Sequence, residues 1–232
     1  MILYTILLVF YVGLLLFIKP APNSFRDKPI TIKENFLAIK GSLFLGILLL
    51  TIHLLVSDFT LLGASEKTYQ IFALNNLDNN HLWVPQYFTH LFIHLNLLHL
   101  VGNITMLGLL SAYERRVGLK RYLAVLLVAG LISGLSVFFY TENIYSSGIS
   151  GALFGIGAAF FTDEKNLTLK DWAYAILTFF ALAAIVSLRD FSEMQKLKNI
   201  NFNIDYFAHV LGALGAIVYT RFVKQKSVFN KS

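Results

Sequence analysis

Apolar residues run through this chain in long blocks, at roughly 2–18, 36–56, 91–113, 122–140, 149–161, 172–188 and 206–223. Most approach the ~20 residues that an α-helix needs to cross about 30 Å of hydrocarbon. The pattern predicts an all-α fold, a polytopic membrane bundle in which a six-helix core follows one extra N-terminal transmembrane helix. No basic stretch precedes the first block and no clear small-residue cleavage site follows it, so it reads as a retained span. The fifth block is the exception in length. At ~1.5 Å per residue it reaches only about 20 Å, so neighbours must surround it and its N-terminus must end below the membrane surface. Irregular backbone at that depth survives only against protein or a water-filled cavity.

The connections add little further structure. The stretch 57–89 mixes polar residues with Tyr69, Ile71, Phe72, Leu74 and Trp83, which suits a loop lying partly in the interface. The connection 189–203 is polar. No repeat or hinge linker divides the chain. We therefore expect 1–35 to form the extra helix and a basic cytoplasmic loop, 36–226 one six-helix domain, and 227–232 a cytoplasmic tail.

Composition agrees with the pattern. Of 232 residues, 56% are hydrophobic and 14% charged, with a mean hydropathy of +0.65. A soluble domain of this size could not bury so much apolar surface. The absence of cysteine excludes disulfides, thiolate-bound zinc and thiol catalysis. A formal charge of +6 invites a nucleic-acid partner, but the cations are placed by topology. All 19 Lys and Arg residues except Lys67, Arg189, Lys196 and Lys198 fall on one side of the predicted spans. The positive-inside rule makes that side cytoplasmic, with the N-terminus outside and the C-terminus inside. The expected setting is a multi-pass protein of the cell membrane, with the bilayer as partner and no nucleic acid.

Against this background three polar clusters stand out: His90, His94, His99 and Asn103; then Gly148-Ile149-Ser150-Gly151; then Ala208-His209-Val210-Leu211-Gly212. A polar side chain within a bilayer-length apolar run is costly, and its default reading is a functional site. The clusters sit at or near the N-terminal ends of the third, fifth and seventh blocks. Alternate helices of a serpentine bundle run the same way, so all three reach one face of the membrane at similar depth.

Ser150 lies where a loop becomes a helix, with small neighbours that admit a substrate backbone and a helix N-terminus that suits an oxyanion. A helix N-cap serine explains the same residue. His209 is the natural base for a serine nucleophile, although a histidine packed against a neighbouring carbonyl is the alternative. Gly151 and Gly155 form a small-residue stripe, matched by Gly212 and Ala216, and such stripes let membrane helices approach closely. His99 and Asn103 share one helix face and can donate to a tetrahedral intermediate beside the Ser150 amide. His90 and His94 lie further out, where they would hold water or brace the loop. Histidines four apart also suit a metal, but no H-E-x-x-H is present and asparagine is a poor zinc ligand, so no metal and no cofactor are expected. Asp205 invites a triad, yet an N-cap explains it equally well, and we read a dyad. Glu114 reads as a helix-end anchor.

Taken together, these residues make the chain resemble the rhomboid family of intramembrane serine proteases. The motifs are H-x3-H-x4-H-x3-N at His90 to Asn103, E-x3-G at Glu114 and Gly118, G-x-S-G-x-x-F-G at Gly148 to Gly155, and A-H-x-x-G at Ala208 to Gly212. The resemblance implies a Ser150 nucleophile and His209 base, oxyanion support from His99, Asn103, the Ser150 amide and Gly151, and Phe154 packed on His209. It also implies that His90 lies near a water-retention site. Substrates would be transmembrane proteins, cut near the outer end of their helix. Two departures are visible. Pro85-Gln86 stands where many members carry a Trp-Arg pair, and Ala216 stands where a second glycine is usual. An inactive rhomboid-like protein that binds membrane helices is the nearest alternative, but such members usually lack the serine or the histidine. A transporter would predict paired repeats and mid-membrane carboxylates, and neither is visible.

Overall fold

Each apolar block becomes a helix, and the breaks fall where a cap or a buried acceptor interrupts the pattern. The computed structural model describes residues 1–20, 30–76, 83–141, 144–164, 166–187 and 205–223. Arg26, Lys28, the connection 189–203 and the tail 227–232 lie outside the described residues. In chain order the elements are α1 (Ile2–Phe17), α2 (Ile32–Ala38), α3 (Lys40–Val56), α4 (Glu66–Phe72), β1 (Leu74–Asn75), α5 (Trp83–Thr89), α6 (Leu97–Val117), α7 (Leu119–Ser133), β2 (Tyr145–Ser146), α8 (Ser150–Thr162), α9 (Leu169–Ser187) and α10 (Tyr206–Phe222). Short 3-10 turns occupy His90–Phe92 and Gly134–Phe139.

Three boundaries differ from expectation, each for a local reason. The second block is a bent pair, because α2 and α3 meet at 78°. Thr31 and Glu34 form a capping box that starts α2 early. The third block starts late. Asn96 caps α6 by accepting from the His99 amide at 2.8 Å, so His90 and His94 lie ahead of the helix. The stretch 57–89 is more ordered than a plain loop, since it carries α4, α5 and a strand. Leu74 and Asn75 pair antiparallel with Ser146 and Tyr145, a two-residue ladder that the apolar pattern did not announce.

Glu114 explains how the bend is tolerated. Its buried carboxylate accepts from the Gly41 amide at 2.7 Å, the Ser42 amide at 2.7 Å and the Ser42 hydroxyl at 2.8 Å. A side chain from the end of α6 thus caps the buried amides that begin α3, which have no partner within their own helix. Glu114→Ala orphans three buried donors and is expected to cost about 3 kcal/mol. Reversible unfolding in micelles checks this, and unchanged stability would refute the capping role.

Helix α1 docks on α3 and α6 through Tyr11, which is fully buried and donates to the Ser42 carbonyl at 2.7 Å. Gly46 leaves the space for that ring. The centre of the bundle is the trio α7, α8 and α10. A Cβ added at Gly155 would lie 2.8 Å from the Gly212 carbonyl oxygen and 3.2 Å from Ala216 Cβ, so two of these helices touch backbone to backbone.

The far end of short α8 is held by charge. Asp163 accepts from Arg121 at 2.5 and 2.6 Å and from the Tyr113 hydroxyl at 2.6 Å. Arg221 reaches the Thr162 and Glu164 carbonyls, and Arg116 the Ala159 carbonyl at 3.3 Å. These cations satisfy C-terminal carbonyls that a short helix cannot pair internally and favour its negative dipole end.

By length and composition alone, Leu119–Phe139 is the one described helical stretch able to cross a membrane, with α2 and α3 passing as a bent pair. Helices α1 and α8 are apolar but shorter.

Candidate active site

Ser150 is the first residue of α8, and Ile149 holds the N-cap position without a side-chain cap. The serine hydroxyl is therefore not a capping group. It lies 2.9 Å from His209 Nε2, across 59 residues of sequence. His209 sits in the first turn of α10, and its ring stacks on Phe154 at 4.2 Å between centroids and 8° between planes. Phe154 is one turn along α8 from Ser150, so the same helix that presents the hydroxyl also fixes the plane of the imidazole. Both side chains are buried, with 6% of Ser150 and 3% of His209 exposed.

The turn before Ser150 depends on a glycine. Gly148 has φ +95°, a conformation that side chains resist, and its amide donates to the His90 carbonyl at 2.8 Å. A Cβ there would lie 2.5 Å from His99 Nε2 and 3.1 Å from Asn103 Nδ2. Helix α6 thus brings both donors against the backbone two residues ahead of Ser150. Asn103 is 1% exposed, and its amide has no hydrogen-bond partner among the described residues. A buried amide in that state suits a charge that forms only during reaction.

His90, His94 and His53 stand around these side chains. His90 Nδ1 donates to the Gln86 carbonyl at 3.0 Å, and with its own carbonyl on Gly148 the residue braces the turn. His94 packs edge-on against His99 at 5.0 Å and against His53 of α3 at 6.3 Å. His53 escaped the sequence reading, because a single histidine late in an apolar block carries no motif. Among the described residues no group of three or more His, Asp or Glu side chains is arranged to hold a metal ion.

Gly151 and Gly155 of α8 face Gly212 and Ala216 of α10 at this same junction. Asp205 is the N-cap of α10, accepting from the Ala208 amide at 2.9 Å, and its carboxylate is otherwise occupied by hydroxyl groups.

Sequence comparisons identify the family. The family model described as Rhomboid domain matches residues 79–226, well over half of the chain. The chain belongs to the rhomboid family. As a rhomboid it is an integral membrane protein. It is similar to the rhomboid protease GlpG of Salmonella choleraesuis strain SC-B67, 29% identical over 110 residues, and of Salmonella newport strain SL254, 28% identical over 110 residues. Each match covers 45% of this chain and 38% of the relative, so the chain spans well under half the length of the curated relatives it matches.

This rhomboid departs from many members at Pro85-Gln86, and the structure gives Gln86 a different task. It is buried, donating to the Gln70 and Ile71 carbonyls at 2.9 and 3.1 Å and accepting from Asn75 at 3.0 Å. The segment it organises reaches the turn before Ser150 through Tyr69, whose hydroxyl lies 2.6 Å from Ser147 Oγ. Sequence reasoning read Tyr69 only as an interfacial loop residue and missed its link to Ser147. They are 78 residues apart, and nothing local links a loop tyrosine to that serine.

Proposed function

We propose that this protein is an intramembrane serine endopeptidase that cleaves transmembrane protein substrates near the outer end of their helix. The observation that carries the reading is the 2.9 Å contact between Ser150 Oγ and His209 Nε2, at the foot of a helix N-terminus. His209 takes the hydroxyl proton as Ser150 Oγ attacks the scissile carbonyl carbon. The oxygen becomes an oxyanion held by the Ser150 and Gly151 amides with His99 and Asn103. His209 then protonates the leaving amine, the C–N bond breaks, and water hydrolyses the acyl-enzyme by the reverse proton path. Asp205 takes no catalytic part, because its acceptor sites are filled elsewhere.

In this proposal the chain lies in the cell membrane with its N-terminus outside and its C-terminus cytoplasmic, and α1 is a retained span. The protein reconstituted in vesicles is expected to cleave a transmembrane substrate and to be labelled at Ser150 by a fluorophosphonate. Absence of both would sink the reading. His99→Ala and Asn103→Ala should each lower kcat by roughly 100-fold, as for loss of one oxyanion donor, with little change in KM. Steady-state cleavage in micelles checks this, and unchanged kcat in both would remove them from the site.

A further inference from the structure

We propose that Asp205 is a positioning residue that holds the Ser150 turn and the His209 helix in register. This rests on the protease reading above. The carboxylate accepts four bonds from three separate stretches of chain. Oδ2 takes the Ser136 hydroxyl at 2.5 Å and the Ser146 hydroxyl at 2.9 Å. Oδ1 takes the Tyr140 hydroxyl at 3.0 Å and the Ala208 amide at 2.9 Å. An ionised carboxylate offers about four acceptor positions, so the group is saturated.

The partners matter by where they stand. Ser146 ends the β2 strand and is four residues ahead of Ser150, at the start of the turn that carries Gly148. Ala208 is the immediate neighbour of His209. Ser136 and Tyr140 belong to the segment that follows α7, which flanks both. One charge therefore joins the approach to the nucleophile with the approach to the base. Each of its bonds is charge-assisted, hence shorter and stronger than a neutral one.

The two catalytic helices do not need Asp205 to stay together. Further along, Gly155 lies against Gly212 and Ala216, and Phe154 stacks on His209. Loss of the carboxylate frees only the outer ends, where Ser150 and His209 meet. The expected defect is one of alignment within a folded bundle.

The test uses the full chain in micelles, comparing wild type with Asp205→Ala, Asp205→Asn and Ser146→Ala. Four quantities are read: kcat and KM on a transmembrane substrate, the rate of fluorophosphonate labelling of Ser150, and the thermal midpoint. A misplacement near 1 Å costs on the order of 100-fold, so kcat and labelling rate should fall by about that factor in Asp205→Ala at unchanged KM. Asp205→Asn keeps one acceptor oxygen and should recover part of the rate, and Ser146→Ala should lose less than either. Labelling and kcat at wild-type rates in Asp205→Ala would overturn the positioning role alone. So would a loss that vanishes once rates are expressed per folded molecule in all three variants. A wild type that is neither labelled nor active would overturn the protease reading and this role with it.

Discussion

Replacing Ser150 or His209 by alanine is expected to abolish cleavage of a transmembrane substrate while leaving the bundle folded. The two side chains form one unit at 2.9 Å, so removing either removes the activated nucleophile. In catalytic units of this kind a single deletion lowers kcat by roughly 10,000-fold or more, and the double deletion adds little. The stability cost is small by comparison. Ser150→Ala gives up one neutral hydrogen bond, worth about 1 kcal/mol. His209→Ala leaves a gap beside Phe154, which retains its edge contact with Phe179 at 5.0 Å. Cleavage assays on both variants, with circular dichroism and thermal midpoints beside them, check the expectation. Full activity in Ser150→Ala would end the proposed mechanism, whatever else the bundle does.

Gly212→Val is expected to damage both fold and activity. A Cβ at this position runs into the backbone carbonyl of Gly151, which has no rotamer by which to move aside. The two helices must separate or tilt, and overpacking of this kind costs about 3 kcal/mol. Because Gly151 follows Ser150 and Gly212 lies one turn from His209, the same movement pulls the hydroxyl from the imidazole. Gly13→Ala is the matched control, since nothing stands within 4 Å of a Cβ there. The thermal midpoint should drop sharply in the first variant and stay put in the second. A Gly212→Val protein with wild-type stability would mean that α8 and α10 are not in backbone contact.

The main elements of this chain were legible because they rest on local pattern. Apolar blocks of helical length announced α1, α3, α8, α9 and α10 within a few residues, and α7 together with the 3-10 turn that continues it to Phe139. The small-residue stripes announced which faces of α8 and α10 approach. Glu114 was legible as a helix-end anchor, but its partners on Gly41 and Ser42 were not, because they lie 73 and 72 residues away. The bend between α2 and α3 was missed for the same cause. A strong run of apolar residues continues straight through it, and only a carboxylate from another helix makes the break affordable.

Residue types and their spacing were enough to point to the class of chemistry proposed here and to the side chains proposed to carry it, Ser150 and His209 foremost. Those features follow from what a short apolar helix, a glycine turn and an intramembrane histidine can do wherever they occur. The tertiary structure alone decided how Asp205 is used. The sequence allowed a triad member or a cap with equal ease, and the choice depends on hydroxyls at Ser136, Tyr140 and Ser146, 59 to 69 residues away. A hydrogen bond is set by distances of a few ångströms between atoms, and such distances between remote residues exist only once the chain has packed.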